Sequence, residues 1–279
     1  MYPILFHIGK YPVHAYGILI AIGFLIGLWR AMRVAHIRNE QGDTTITPDN
    51  LFDLGYGGLI TGLIGARLLY VLLNWNYYIH HPIVIFETWQ GGLSIMGAIA
   101  VGTLYILWYC RRKKLPFFKV ADLVAPSFAI GYAIGRIGCF MNGCCYGVPS
   151  NLPWAVRFVK NPNIPGDLTR PRQPTQLYAT GMNLIIFWLL TRWEKRTRAD
   201  GEIFFGYIAL YCLYRFIDEI WRKGATAQVF VGWFTQAQVA CMAIAPLAIL
   251  GWWLVRRHYL AEKRISAKIP SLAQPDQHK

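Results

Sequence analysis

Long apolar stretches separated by short polar segments dominate the sequence. Several of them run for about 20 residues, which is the length that an α-helix needs to cross the hydrocarbon core of a bilayer. The pattern therefore predicts an all-α integral membrane protein with seven transmembrane helices. The predicted helices cover residues 16–32, 51–73, 91–110, 123–136, 177–193, 203–220 and 238–255.

The composition and the charge agree with this class. Of the 279 residues, 55% are hydrophobic and 15% are charged, and the net charge is +14. Such a charge would suit nucleic-acid binding if the basic residues shared an aqueous face, but they cluster just beyond the apolar segments. We therefore expect membrane lipids, and no nucleic acid, as partners.

Lysines and arginines alternate between the two sides of the predicted membrane. The segments after the first, third, fifth and seventh helices hold most of them, and the segment between the second and third helices holds none. Because basic loops stay in the cytoplasm, the amino terminus is predicted outside and the carboxyl terminus in the cytoplasm. No cleavable signal peptide is evident, so we expect the first helix to direct insertion.

One domain is predicted, followed by a tail. Residues 1–255 form a single seven-helix membrane domain, in which residues 148–173 contain five prolines and exceed a simple connection. We expect this segment to be an outer cap loop over a pocket. Residues 256–279 are polar and basic and are predicted to form a disordered cytoplasmic tail near anionic lipid headgroups.

The segment from residue 135 to residue 147 is the densest in candidate chemistry. It holds four glycines, and Arg136 is its only charged residue. Because the glycines allow close approach of the backbone to a ligand, we interpret the segment as a pocket floor at which the fourth helix ends. The planar donors of Arg136 suit a phosphate or a carboxylate. Snorkelling of this arginine to the membrane interface is the alternative.

Three arginines, Arg67, Arg136 and Arg215, lie inside or at the ends of predicted helices. A charge at the centre of a bilayer costs several kcal/mol, so we expect all three to face a shared interior. Asp218 and Glu219 follow Arg215 at helical spacing, so either could pair with it. For Arg215 and Glu219, a purely structural ion pair is the alternative to a functional one.

Polar residues near these arginines suit an anionic lipid headgroup. Asn142 lies in the glycine-rich segment, and Gln176 and Tyr178 open the fifth helix, where free N–H groups favour an anion. Thr175 at the same place has a simpler interpretation as a helix cap. Phosphatidylglycerol or a related phospholipid would place its phosphate against Arg136 and Arg215.

Cys139, Cys144 and Cys145 permit several interpretations. The spacing lacks a paired Cys-x-x-Cys and a nearby histidine, so the sequence does not favour a zinc site. A disulfide within the trio and a nucleophilic cysteine both remain open. His14, at the outer end of the first helix, is either a base or a hydrogen-bonded interfacial histidine.

Several ordered motifs resemble those of the bacterial prolipoprotein diacylglyceryl transferases, over nearly the whole chain. They are His14-Ala15-Tyr16-Gly17, Gly65-Ala66-Arg67, Gly91-Gly92-Leu93-Ser94, Gly135-Arg136-Ile137-Gly138 with Asn142-Gly143 and Gly147, Pro174-Thr175-Gln176-Leu177-Tyr178, and Tyr211 with Arg215 and Glu219.

The resemblance implies a multi-pass enzyme of the bacterial inner membrane with seven helices and the amino terminus outside. It implies transfer of a diacylglyceryl group from phosphatidylglycerol to the lipobox cysteine of prolipoproteins, with release of glycerol phosphate and without a cofactor or metal. Arg136 would be the principal phospholipid-binding residue, and Arg215, oriented by Glu219, would assist the leaving phosphate. The implied substrate-binding set is Tyr16, Arg67, Arg136, Asn142, Gly147, Gln176, Tyr178 and Tyr211.

Some positions depart from the family pattern. Met96 stands where the family commonly has a histidine, Cys139 and Cys144 stand where it has asparagine and glutamate, and Ala179 replaces a frequent carboxylate. A divergent relative that uses the same lipid donor with another acceptor is therefore one alternative. A non-catalytic transporter of anionic lipid or solute is another, although no internal repeat is visible.

Overall fold

The computed structural model describes residues 4–9, 11–87, 91–158, 170–196, 199–222 and 229–272. Within these ranges the chain is mainly helical, and each predicted apolar segment overlaps one long helix. The elements in order are β1 Ile4–Ile8, β2 Tyr11–His14, α1 Ala15–Glu40, α2 Pro48–Leu73, α3 Trp75–Tyr78, a 3-10 helix Pro82–Phe86, α4 Ile95–Lys113, α5 Phe117–Asn142, α6 Thr175–Glu194, α7 Glu202–Trp221, β3 Val229–Val231, β4 Phe234–Thr235 and α8 Gln236–Leu272.

Several helices have the length and apolar character of membrane spans. In the described part of the chain, α1, α2, α5 and the first 28 residues of α8 are long and apolar enough to cross a membrane. Large apolar side chains such as Leu25, Ile64 and Leu247 stand exposed on them. This outward apolar surface is what lipid would cover, so the chain is a membrane protein. Helix α7 is also apolar but carries four charged residues, Glu202, Arg215, Asp218 and Glu219.

The chain divides into two compact units, residues 28–120 and residues 1–27 with 121–279. In the first of these, α2 and α4 approach closely at Gly65 and Gly97. A Cβ on Gly65 would lie 2.5 Å from the carbonyl oxygen of Gly97, so these helices pack backbone against backbone. Tyr109 of α4 also donates a 2.8 Å hydrogen bond to Asp53 of α2.

In the other unit, the start of α1 packs on α5, and α6, α7 and α8 form the remaining long helices. A Cβ on Gly23 of α1 would lie 2.8 Å from the carbonyl oxygen of Gly131 of α5. Asp122 of α5 accepts hydrogen bonds from the backbone N–H groups of Gly201 (2.6 Å) and Phe204 (2.8 Å). This carboxylate satisfies free donors at the amino end of α7 and fixes where that helix begins.

The glycine-rich segment is more helical than its sequence indicates. Helix α5 continues through Arg136 to Asn142, and the chain turns only at Gly143 (φ 71°) and Cys145 (φ 63°). A glycine costs a helix only about 1 kcal/mol, which packing offsets. The gain at Gly138 is close packing, since a Cβ there would lie 3.3 Å from the Tyr16 ring.

The expected disorder after residue 255 is wrong as far as Leu272. Helix α8 runs on from the apolar segment to that residue. The sequence between the span and Ser266 contains no glycine or proline, so the helix propagates without a new nucleation step. Residues 273–279 of the predicted tail lie outside the described residues.

The predicted cap loop is described at its two ends. Pro149 and Val156 each form an antiparallel bridge with Arg172, which ties the ends together. Phe158 packs on Phe140 and Tyr146. Residues 159–169 of the predicted cap lie outside the described residues.

Candidate functional site: a buried cluster of arginines and carboxylates

A charged face on α7 forms the base of the site. Asp218 and Glu219 follow Arg215 by three and four residues, so both can reach it on one side of the helix, and Arg222 directly follows the last residue of α7. Arg215 forms an ion pair and hydrogen bond with Glu219. Its Nη1 also lies 3.5 Å from Asp218 Oδ2, and Arg222 Nη1 lies 3.9 Å from Glu219 Oε2. The predicted pairing of Arg215 with Glu219 is therefore confirmed.

Arg136 reaches the same cluster from α5. Its Nη2 lies 3.9 Å from Asp218 Oδ2, so Arg136 and Arg215 converge on a single carboxylate. Asp218 and Glu219 are each 3% exposed, and Arg136 is 6% exposed. Three guanidinium groups and two carboxylates leave one positive charge in this buried place. Such an arrangement attracts an anion, because little solvent screens the excess charge.

Polar atoms in the cluster remain unsatisfied. Nε and Nη2 of Arg136 have no hydrogen-bond partner in the described part of the chain, and the same holds for Oδ1 of Asp218 and Oε1 of Glu219. An unpaired buried donor costs about 1–3 kcal/mol. A phosphate oxygen placed against Arg136 would remove that cost, since a guanidinium presents parallel donors to such a group.

Tyrosines surround the cluster. The rings of Tyr132, Tyr207, Tyr211 and Tyr214 form a contact series, with centroids 5.6 Å apart for Tyr132 and Tyr211 and 5.9 Å apart for Tyr211 and Tyr214. The guanidinium carbon of Arg136 lies 5.5 Å from the centre of the Tyr132 ring. This aromatic wall orients Arg136 and lowers the local dielectric constant, which strengthens its interaction with an anion.

The amino end of α6 supports the turn after α5. Thr175 donates a 2.9 Å hydrogen bond to the Cys145 carbonyl, and Nε2 of Gln176 donates a 2.6 Å hydrogen bond to the Cys144 carbonyl. Both side chains are fully buried. The structure thus places Gln176 beneath the turn, and Thr175 bonds to that turn instead of capping its own helix. A substrate contact by Gln176 stays a prediction.

The remaining polar residues of the predicted set lie around this turn. Asn142 is the half-buried last residue of α5. Tyr178 accepts a 2.6 Å hydrogen bond from the indole of Trp154. A Cβ on Gly147 would lie 2.8 Å from the Trp221 carbonyl oxygen, so no larger residue fits without a shift. Tyr16 is 39% exposed and interacts electrostatically with Arg136.

Arg67 donates hydrogen bonds to backbone carbonyls of the segment that precedes α4. Its Nε donates to the Ile85 carbonyl at 2.8 Å, and its Nη1 donates to the carbonyls of Gly91 (2.9 Å) and Gly92 (3.0 Å). A buried guanidinium needs acceptors, and the segment before α4 supplies them. Arg67 therefore holds a segment of its own unit. That it shares an interior with Arg136 and Arg215, and that it contacts substrate, both stay predictions.

The three cysteines lie together. The sulfur atoms of Cys139, Cys144 and Cys145 are all within 4.8 Å of one another. All three are half-buried. The sequence spacing did not favour a metal site here. The turn at Gly143 brings the sulfurs into one group.

Sequence reasoning missed several members of the site. It offered Asp218 only as an alternative partner of Arg215, whereas the structure makes it the shared partner of two arginines. It ended the sixth helix at residue 220, before Arg222, and did not single out Tyr132 or Tyr214. The spacing of Arg215, Asp218, Glu219 and Arg222 was the signal that could have revealed the charged face of α7.

Together, the fold and this cluster define a membrane protein with several apolar helices that holds buried arginines with an excess positive charge. The sequence model of the prolipoprotein diacylglyceryl transferase family matches residues 3–254. The chain belongs to this family of enzymes, as its motifs predicted.

Individual relatives agree with this assignment. A protein of Nostoc sp. is 37% identical over 277 residues, covering 95% of this chain and 94% of its own. A protein of Parasynechococcus marenigrum is 36% identical and covers 91% and 94%, and one of Vibrio vulnificus is 32% identical and covers 92% and 93%. Each bears the name phosphatidylglycerol–prolipoprotein diacylglyceryl transferase.

Proposed function

We propose that the chain transfers a diacylglyceryl group from phosphatidylglycerol to a cysteine thiol of prolipoproteins, forming a thioether and releasing glycerol phosphate. Membership of the family and the names of its relatives support this reaction. The acceptor is the lipobox cysteine, and the enzyme acts in the bacterial inner membrane.

The unsatisfied donors of Arg136 are the observation that carries the proposal. Among the described residues, Nε and Nη2 of the buried Arg136 have no hydrogen-bond partner and the surrounding cluster has a net charge of +1, which suits the phosphate of phosphatidylglycerol. Its carboxylate neighbour lies 3.9 Å away, at the limit of an ion pair. A phosphate oxygen can therefore approach Arg136 without breaking a short hydrogen bond to Asp218.

The chemistry follows from the charge that develops during transfer. The acceptor thiol gives up its proton to solvent and its sulfur attacks the glyceryl carbon. The bond from that carbon to the phosphate oxygen breaks, and the electron pair stays on the phosphate, which can take up a proton from solvent. Arg136 holds the phosphodiester, and Arg215 stabilises the departing glycerol phosphate as its charge rises. Glu219 and Asp218 fix the position of Arg215, so little reorganisation is needed at the transition state.

The other predicted residues have supporting parts in this proposal. Tyr16, Asn142, Tyr178 and Tyr211 line the pocket and contact the headgroup. Gly147 and Gln176 preserve the shape of the turn that follows α5, on which the pocket depends.

The membrane arrangement is part of the same proposal. The seven long helices α1, α2 and α4 to α8 span the membrane within one domain, residues 1–255. The amino terminus and the cap loop, residues 148–173, lie outside, and the basic residues after 255 lie in the cytoplasm. The distribution of lysine and arginine supports this orientation. An external thiol acceptor then meets the site on the side to which prolipoproteins are exported.

The decisive test is transfer from phosphatidylglycerol to a lipobox peptide by the purified protein. We expect the thioether product and an equal amount of glycerol phosphate. Arg136→Ala should reduce kcat/KM by at least about a hundredfold, because it removes a charge-assisted contact worth about 3 kcal/mol. Arg192→Ala is the matched control, since Arg192 is an exposed arginine stacked on Trp188 and should retain full activity.

A folded protein that never releases glycerol phosphate would refute the proposal. A divergent acceptor is the second candidate, favoured by Met96, an exposed thioether in place of a proton-accepting histidine. Rescue of a bacterial strain that lacks its own lipoprotein transferase distinguishes the two. Rescue identifies prolipoproteins as acceptors, whereas phosphatidylglycerol consumption without rescue identifies another acceptor.

A further inference from the structure

The cysteine group has the geometry of a metal site. Zinc–sulfur bonds of about 2.3 Å in a tetrahedral site place the sulfurs about 3.8 Å apart. The sulfurs of Cys139, Cys144 and Cys145 already lie within 4.8 Å of one another, so side-chain shifts of less than an ångström would close the site. Three thiolates favour zinc and similar soft cations over magnesium or calcium.

The backbone around the group holds it in an unusual conformation. Cys145 has φ 63°, a left-handed value that costs a residue with a side chain about 1–2 kcal/mol. The hydrogen bonds from Thr175 and Gln176 to the carbonyls of Cys145 and Cys144 hold that conformation. Such strain persists where the surroundings enforce it, and it is common at functional sites.

Positively charged side chains lie near the cysteine group. Arg136 and Arg222 both interact electrostatically with Cys145, and Arg136 also interacts with Cys139, one helical turn away on α5. Three thiolates and one divalent cation carry a net charge of −1, so this group and the +1 cluster of arginines and carboxylates are together neutral before substrate binds. Tyr16 interacts electrostatically both with the three cysteines and with Arg136, so the cysteine group lies near that arginine.

We propose that Cys139, Cys144 and Cys145 bind one zinc-class cation, whose fourth coordination position takes the acceptor thiol. In the described part of the chain the group offers three ligands, and three protein ligands with one open position are typical of catalytic zinc sites. The acceptor role rests on the proposed function, whereas cation binding does not.

A bound cation would make a separate general base for the acceptor thiol unnecessary. A thiol loses its proton to solvent when it coordinates such a cation, so no separate residue has to accept it. The coordinated sulfur then forms a bond to the glyceryl carbon, and the electron pair of the broken carbon–oxygen bond leaves with the phosphate held by Arg136. The thioether product is a weaker ligand and dissociates.

Cobalt loading of the full-length protein tests the site without phosphatidylglycerol. The protein is kept reduced, because a disulfide within the trio would remove two ligands. We expect one Co²⁺ per chain, with thiolate-to-cobalt charge-transfer absorption. Substitution of each of Cys139, Cys144 and Cys145 by serine should abolish this absorption. Cys110→Ser, which changes a cysteine buried in α4, should retain it.

Addition of an acceptor peptide tests the fourth position. A lipobox peptide should change the visible cobalt spectrum, and the same peptide with serine for its cysteine should not. In the unsubstituted protein, bound Zn²⁺ should also protect all three thiols from alkylation, which tests the site even if a serine variant fails to fold.

Three outcomes overturn the proposal. Three free thiols without bound cobalt exclude the site, and equal loading of a protein that lacks all three cysteines identifies adventitious binding. Cobalt bound by the trio with no response to the peptide excludes the acceptor position. Thiol-dependent cobalt spectra without product after phosphatidylglycerol is added would instead refute the proposed transfer while leaving the metal site intact.

Discussion

Replacement of Asp218 by asparagine tests how the site balances its charges. Asp218 is the carboxylate that Arg136 and Arg215 share, at 3.9 Å and 3.5 Å. Asparagine keeps its size and can still accept the hydrogen bond from the Tyr214 hydroxyl. The substitution therefore removes one negative charge with little change in shape, and the net charge of the cluster rises from +1 to +2.

The expected effect is tighter binding of phosphate. One additional unit of charge about 6 Å from a phosphate contributes about 3 kcal/mol at an effective dielectric constant of about 20. Partial screening reduces this, so we expect affinity for glycerol phosphate to rise about 10–100-fold. Loss of positioning opposes the gain only weakly, because Glu219 still pairs with Arg215 and Tyr132 still stacks on Arg136. Stability falls by about 3 kcal/mol, since one partner of a buried ion pair is lost.

Product inhibition is the direct assay. Initial rates of transfer to a lipobox peptide are measured with increasing glycerol phosphate, which is soluble and avoids the ambiguity of lipid concentration in micelles. The inhibition constant should fall about 10–100-fold in Asp218→Asn, and kcat should fall because product leaves more slowly.

Asp122→Asn is the matched control. Asp122 is also buried, at 6% exposed, but it accepts hydrogen bonds from backbone N–H groups at the start of α7. This variant should lose stability and keep the inhibition constant of the parent protein. If Asp218→Asn leaves the inhibition constant unchanged or raises it, the charge cluster does not hold the phosphate and the reasoning fails.

Two further predictions concern stability. Gly65→Ala should lower the melting temperature, because the new Cβ would lie 2.5 Å from a carbonyl oxygen of α4 and such overpacking costs about 1–3 kcal/mol. Gly58→Ala in the same helix is the control: its new Cβ meets nothing within 4 Å, so it should be neutral or stabilising by up to about 1 kcal/mol. A lower melting temperature for Gly58→Ala than for Gly65→Ala would contradict the packing of α2 on α4. The 2.7 Å hydrogen bond from Lys119 lowers the pKa of Asp43. The pair therefore stabilises the folded protein above the pKa of an unfolded aspartate, which is about 4. This stabilisation is lost as the pH falls through the lower pKa of Asp43 in the folded protein. Asp43→Asn should therefore lower the melting temperature slightly at pH 7, by the equivalent of at most about 1 kcal/mol. The difference in melting temperature between the variant and the parent protein should shrink in acid. A difference that persists unchanged at low pH would count against this ion pair.

The sequence alone determined the helices and the family. Seven apolar segments were predicted to be helices, and each overlaps one long helix. They could be found from the sequence because a helix that crosses a bilayer needs a continuous apolar segment, which is a local feature of the sequence. The spacing of Arg215 and Glu219 gave their ion pair, since residues four apart share a helix face. The cost of a buried charge indicated that Arg136 would face the interior, where it is 6% exposed.

Only the tertiary structure decided which partners these charges meet. Arg67 binds carbonyls 17 to 25 residues further along the chain, and Asp218 pairs with an arginine from another helix. The cysteine group depends on where α5 ends and on the turn at Gly143, which no spacing rule predicts. Helical periodicity places residues on a face, whereas contacts between distant segments depend on how the faces pack, and that information is not local in the sequence.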